Sequence, residues 1–273
     1  MASAAAAKRL NGKTILITGA SAGLGRSTAL EFARTNPSGG LRLIVTARRL
    51  ETLRKLAAEI AAETAGGVEV LPVQLDVTDA SAVRGFVDSL PEAWRDIHVL
   101  VNNAGLALRM DRVPDIQEDD INTMFATNVT GLINMTQAIL PIFLKRPDGG
   151  QGDIINIGSV AGRDPYAGGA IYCASKAAVQ AFTESIRKEL IATRVRVIQI
   201  DIGQLETEFS LVRFGGDKAK AAAVYAGCEP LTPEDVAELI VFNATRRENV
   251  VVAGSLIFPN HQASATVLHR KSS

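Results

Sequence analysis

Short runs of Val, Ile and Leu alternate along nearly the whole chain with longer stretches of helical period. Thr14–Thr18 (TILIT), Leu43–Ala47, Val68–Asp76, Ile97–Asn102, Asp153–Ile157 and Val195–Ile202 read as strands, with Ser255–Pro259 as a seventh. Uninterrupted apolar runs suit a parallel sheet buried on both faces, where no position faces water. Helical periodicity predicts helices over Leu24–Arg34, Leu50–Thr64, Ala80–Leu90, Glu118–Leu144 and Tyr172–Thr193. Strand–helix alternation of this length implies an α/β fold, a doubly wound parallel sheet of about seven strands with helices on both faces and right-handed crossovers. No repeat or low-complexity linker divides the chain, so residues 13–273 are expected to form a single domain after a flexible N-terminal arm, residues 1–12. Gly203–Pro230 is the one irregular region of size, with Gly215-Gly216 and an alanine cluster, and reads as a mobile flap over a site.

The chain has 273 residues, a length that suits one large domain and at which about three quarters of the unfolded surface can be buried. Its 29 Lys and Arg balance 29 Asp and Glu, which argues against nucleic acid or an anionic membrane as the main partner. Cys173 and Cys228 show neither metal-ligand spacing nor a disulfide framework, so no metal is expected and a reducing compartment fits. No apolar run approaches the ~20 residues of a membrane span.

Two patterns carry chemistry. Directly after the first strand comes Thr18-Gly19-Ala20-Ser21-Ala22-Gly23-Leu24-Gly25. A strand, a glycine turn and a helix N-terminus present unpaired N–H groups and a helix dipole to a phosphate, so the loop predicts dinucleotide binding. An acid after the second strand would bind a ribose 2′-hydroxyl; the chain has Arg48-Arg49 there, and a guanidinium matches a 2′-phosphate. NADP is therefore expected rather than NAD. The second pattern is Tyr172-Cys173-Ala174-Ser175-Lys176. A spacing of four puts Tyr172 and Lys176 on one helix face, with Ser159 at the end of the preceding strand. An ammonium beside a phenol is expected to lower its titration from about 10 towards neutrality, where proton transfer is efficient. Alone, Y-x-x-x-K is common and each glycine is an ordinary turn residue; their combination and order are not.

Together these residues resemble the short-chain dehydrogenase/reductase family, over roughly Lys13 to Pro259. The resemblance implies a Rossmann-type fold and a nicotinamide-dependent alcohol or carbonyl oxidoreductase. It assigns Asn128, Ser159, Tyr172 and Lys176 as the catalytic set, with Asn128 anchoring a proton-relay water. It places Gly19, Ser21, Gly23, Leu24, Gly25, Arg48, Arg49, Asp76, Val77, Asn103, Ala104, Tyr172, Lys176, Gly203, Leu205 and Thr207 against the cofactor. Segments such as Gly158–Asp164, Ile171–Lys176 and Glu206–Ser210 are similar to the NADP-dependent 3-hydroxy acid dehydrogenase branch, which implies small substrates such as serine or allo-threonine, a homotetramer built partly through the helices of Asn128 and Tyr172, and a cytoplasmic location extending to the nucleus. A hydroxy acid needs a cation for its carboxylate; Arg163 and Arg109 are the nearest candidates in sequence. Asp201-Ile202-Gly203 departs from the family's Pro-Gly, which predicts a looser turn and a charge near the nicotinamide. Two alternatives stay open, an NADPH-dependent carbonyl or ketoacyl reductase and a non-catalytic NADP(H)-binding sensor.

Overall fold

The seven apolar runs become seven strands of one sheet in the computed structural model, which describes residues 4–271. They are β1 (Thr14–Thr18), β2 (Arg42–Ala47), β3 (Glu69–Gln74), β4 (Val99–Asn102), β5 (Gln151–Ile157), β6 (Arg194–Ile202) and β7 (Gly254–Ile257). They lie in the order β3-β2-β1-β4-β5-β6-β7, all neighbours parallel. Successive residues of a strand face opposite sides, so Ile15 and Ile17 enter one core while Leu16 enters the other. Leu30, Phe32, Leu53 and Ile240 cover the first face; Met135, Ile139, Phe143 and Ile186 cover the second. Burial on both sides is why these strands read as continuous apolar runs. Pro72 is tolerated because β3 is an edge strand.

The helices are α1 (Ala4–Ala7), α2 (Gly23–Thr35), α3 (Leu50–Glu63), α4 (Ala80–Arg84), α5 (Phe86–Ser89), α6 (Glu118–Phe125), α7 (Leu132–Leu144), α8 (Ala170–Glu189), α9 (Glu208–Arg213), α10 (Lys218–Tyr225) and α11 (Pro233–Ala244). Several differ from expectation, and Gly203–Pro230, expected to be irregular, holds α9 and α10. The helix expected over Ala80–Leu90 is split at Gly85. The one expected over Glu118–Leu144 is interrupted by a π-helical turn, Ala126–Gly131. Sequence reading missed α11, although Thr232-Pro233-Glu234-Asp235 announces it: Thr232 Oγ1 accepts from Asp235 N, Asp235 Oδ2 accepts in turn from Thr232 N, and Pro233 opens the helix.

The expected free arm is also corrected. Residues 4–12 are docked, with Ala6 and Leu10 buried, Arg9 Nη1 donating to Thr245 O at 2.7 Å and Asn36 Nδ2 donating to Ala7 O at 2.8 Å. Met1–Ser3 lie outside the described residues. No helix among the described residues is long and apolar enough to cross a membrane. Because every strand is parallel, the carboxyl ends of β1, β4, β5 and β6 share one edge, and Gly19, Asn103, Ser159 and Gly203 leave the sheet there. Ligands in such sheets sit outside this edge, where the strand order reverses beside β1.

Candidate active site

A groove of about 460 Å³ runs along that edge. Its floor at one end is the turn between β1 and α2. Gly19 has φ +67°, and a Cβ there would stand 2.9 Å from Ala104 Cα; a Cβ on Gly25 would stand 2.5 Å from Gly19 O. Neither position accepts a side chain, so the turn packs closely and bare backbone at Gly19 floors this end of the groove. Asn103 Nδ2 donates to Thr18 O at 2.8 Å, and Thr18 Oγ1 accepts from Asn103 N and Ala104 N at 3.0 Å, which ties the β1 and β4 turns together.

Of the residues expected against a cofactor, all but Gly25 line this groove. Gly25 is buried beneath the loop. Asp76 and Val77 close the far end, where Asp76 Oδ1 accepts from Thr78 N and Thr78 Oγ1. Arg48 and Arg49 follow β2. Arg49 donates to Ser21 Oγ at 3.2 Å and pairs with Glu208 at 3.6 Å, while the exposed Arg48 forms no ion pair among the described residues. The set suits an elongated dinucleotide with a phosphate beside Arg48. No group of three His, Cys, Asp or Glu among the described residues could hold a metal ion.

The other end of the groove gathers Ser159, Tyr172 and Lys176. The buried Lys176 Nζ donates to Ile157 O at 2.8 Å and lies 6.0 Å from the Tyr172 ring centroid. Burial lowers its ammonium to about 8, with Asp201 opposing. The expected lowering of the Tyr172 phenol is not what the structure gives. Burial raises it to about 12, while a hydrogen bond with Ser159 and the nearby Arg213 charge pull it down. Arg213 is a second cation over this ring, at 5.3 Å from its centroid against 6.0 Å for Lys176. The phenol is therefore protonated at neutral pH and placed to donate.

Asn128 is one layer behind, buried in the π-helical turn. Its Oδ1 accepts from Leu106 N and its Nδ2 donates to Leu106 O, both at 2.8 Å, and Nδ2 also donates to Ser175 Oγ at 3.0 Å. Its side chain clamps the turn after β4 to the helix of Tyr172. A π-helical turn widens the helix by one residue, and such turns are frequent at functional sites.

Both proposed carboxylate partners are elsewhere. Arg163 Nε donates to Asp201 Oδ2 at 2.6 Å, and Asp201, 1 % exposed, also accepts from Gln199 Nε2 at 2.7 Å. Arg163 is thus the counter-charge of a buried acid, and the Asp201 charge is consumed behind the sheet edge rather than offered to the groove. Arg109 pairs with Asp120 at 3.1 Å. The turn expected to be loose is pinned: Gly203 N donates to Ile257 O at 2.9 Å and Gln204 N to Gln262 Oε1 at 2.6 Å. Sequence reading missed Phe209 and Arg213. Phe209 meets the Tyr172 ring edge-on at 5.7 Å, and Arg213 also donates to Tyr166 Oη. They sit four apart on α9, and that spacing within the flap was the available signal.

The family model described as short chain dehydrogenase matches residues 13–213. An NADP-dependent 3-hydroxy acid dehydrogenase of Schizosaccharomyces pombe is 52% identical over 96% of this chain and 98% of its own length. Sulfoacetaldehyde reductase 2 of Chromohalobacter salexigens is 46% identical over 91% of this chain and 95% of its own. The closed form of a serine dehydrogenase complexed with NADP+ superposes with a TM-score of 0.84 at 40% identity, covering 94% of this chain and all of that one. With a serine, a tyrosine and a lysine converging beside a glycine-floored groove, and with relatives matched over more than nine-tenths of both chains, the chain belongs to the short chain dehydrogenase family.

Proposed function

We propose that this protein interconverts a small 3-hydroxy acid and its 3-oxo partner with NADP as the redox cofactor. One observation carries the proposal: Ser159, Tyr172 and Lys176 meet at the end of the dinucleotide groove, with Arg213 over the Tyr172 ring. Bound NADP supplies hydride acceptance, and NADPH hydride donation; the residues supply position and protonation. In reduction Tyr172 Oη donates its proton to the carbonyl oxygen, and in oxidation it removes the hydroxyl proton. Ser159 Oγ, in hydrogen-bond contact with Tyr172, holds that same oxygen. Lys176 keeps a positive charge beside the phenol below about pH 8, which favours the phenolate formed as the proton leaves. Asn128 holds the floor of the site; its assignment as the anchor of a water relay rests on family resemblance.

Arg213 is the cation we assign to the substrate's carboxylate, in place of Arg163 and Arg109. A charge-assisted bond of this type contributes about 1.5–3 kcal/mol, so Arg213→Gln is expected to raise KM for serine, allo-threonine and 3-hydroxypropionate roughly 10–100-fold while leaving neutral alcohols nearly unchanged. Equal effects on acids and neutral alcohols would dismiss the assignment. The same guanidinium suits a sulfonate, and the relative named sulfoacetaldehyde reductase 2 supports a second reading, reduction of a small anionic aldehyde. Including sulfoacetaldehyde in the substrate screen separates the two by kcat/KM.

Cofactor choice is expected to follow Arg48. Arg48→Asp places a carboxylate where the 2′-phosphate would lie and should cut kcat/KM for NADP about 10–100-fold relative to NAD, the worth of a charge-assisted contact. A wild-type preference for NAD would contradict the proposal. We read α9 and α10 as a lid over the groove, supported by Phe209 and Val212 in its lining. A homotetramer is supported by apolar side chains left half exposed on α11 and β7, Phe242 and Leu256, and light scattering would measure it. We further place the protein in the cytoplasm and nucleus, supported by family resemblance and two free cysteines; imaging a tagged copy tests that.

A further inference from the structure

The opposite edge of the sheet, where the strands begin, holds a second cavity of about 430 Å³. The starts of β4, β5 and β6 floor it, and the end of α11 with the loop after it forms one wall. Seven Lys and Arg side chains line it against two carboxylates, a local excess in a chain whose net charge is +0. Three of these cations are committed. Arg196 is clamped bidentately on Asp153 and donates to Ala244 O and Val250 O. Arg194 pairs with Glu248 at 2.6 Å, and Arg146 pairs with Asp96.

Four are not. Arg9, Lys13, Arg246 and Arg247 line the cavity and form no ion pair with a carboxylate among the described residues. Arg9 is fixed by Thr245 O, and Arg246 is fixed by Phe242 O and lies 3.9 Å over the Phe242 ring. These bonds aim the side chains without neutralising them. Lys13 is half-buried, and its ammonium is held below the ordinary range by burial and by Arg146. His98, in the same lining, is pushed down to about 4 by burial and by Arg146 and Lys13, so it stays neutral and adds no further charge. A half-open cavity with several cations unmatched by carboxylates, two of them positioned, stabilises a multivalent anion, because guanidinium forks match oxyanions and partial exclusion of water strengthens each contact. A volume of this size admits a small-molecule ligand.

We propose that this cavity is a second binding site, for a small multivalent oxyanion bearing phosphoryl or carboxylate groups, held by Arg9, Lys13, Arg246 and Arg247. It is distinct from the catalytic groove, which lies at the other end of the same strands.

The test is thermal unfolding of the NADP-saturated protein, so that Arg48 and Arg49 are already engaged. Pyrophosphate and citrate are titrated at ionic strength held constant with NaCl. At ten times Kd either anion should raise Tm saturably by about 3–5 °C. The Lys13→Gln/Arg247→Gln double variant should fall to the NaCl baseline while keeping wild-type turnover with NADP. A response to pyrophosphate alone assigns a phosphoryl ligand, and to citrate alone a polycarboxylate. No rise above NaCl in the wild type, or an equal rise in the double variant, overturns the proposal. If the double variant loses turnover and so fails to fold, Arg247→Gln alone, at an exposed position, replaces it and should weaken binding at least fivefold by calorimetry; unchanged affinity there is an equally clear refutation.

Discussion

Tyr172→Phe is expected to lower kcat by about 10²–10⁴-fold, the ordinary worth of a positioned general acid or base, while NADP still binds. The substitution removes one oxygen and nothing else. The ring keeps its edge-on contact with Phe209 and its place beneath Arg213, so packing at the start of α8 is retained. What is lost is the group proposed to move the proton, together with the partner of Ser159. Absorbance at the reduced nicotinamide band reads kcat, and fluorescence titration reads cofactor affinity. Turnover above a tenth of wild type would remove Tyr172 from its role. Loss of binding together with turnover would show that the oxygen holds the site together rather than serving the reaction.

A comparably large effect, on stability rather than rate, is expected at the other end of β5. Asp153 and Arg196 face each other across the β5–β6 pair with both side chains nearly fully buried, the Nε–Oδ1 distance being 2.6 Å. Removing one member of a buried ion pair strands the other charge, at a cost of about 3–5 kcal/mol. Asp153→Leu should therefore lower Tm by on the order of 10 °C, with kcat of the folded fraction unchanged because the catalytic groove is at the opposite edge. Adding Arg196→Met should restore most of the loss, since an apolar pair of similar volume does not require desolvating charge. A fall of less than about 2 °C for the single variant, or no recovery in the double, would show that the pair contributes little.

The chain announces most of this architecture, for a physical reason. Strands shielded on both faces have no polar alternation to obscure them, so Thr14–Thr18 and Ile97–Asn102 are legible without any tertiary information. Strand limits moved by one or two residues, as at β3 and β7, because ladder ends are set by the neighbouring strand. The groove was equally legible where function rests on local spacing: Gly19 to Gly25 within one turn, and Tyr172 and Lys176 within one coil. Arg163 failed because proximity in sequence to Ser159 says nothing about a buried acid 38 residues away, Asp201, which claims it. Arg213 was hidden for the converse reason, since 41 residues of chain separate it from the ring it covers. The phenol's titration was misjudged because desolvation, which no motif displays, outweighs the charge beside it.

The π-helical turn at Ala126–Gly131 makes the length of this stretch as informative as its composition. An α-helix advances about 100° per residue, so deleting any one residue here would let α6 and α7 fuse into an uninterrupted rod. The rod would be the more regular object, with α6 and α7 keeping nearly their present relation because the π turn already absorbs the extra residue, but the bulge that carries Asn128 would be gone. Asn128 could then no longer face both Leu106 and Ser175. Evolution or an engineer can vary the letters of this segment far more freely than their number.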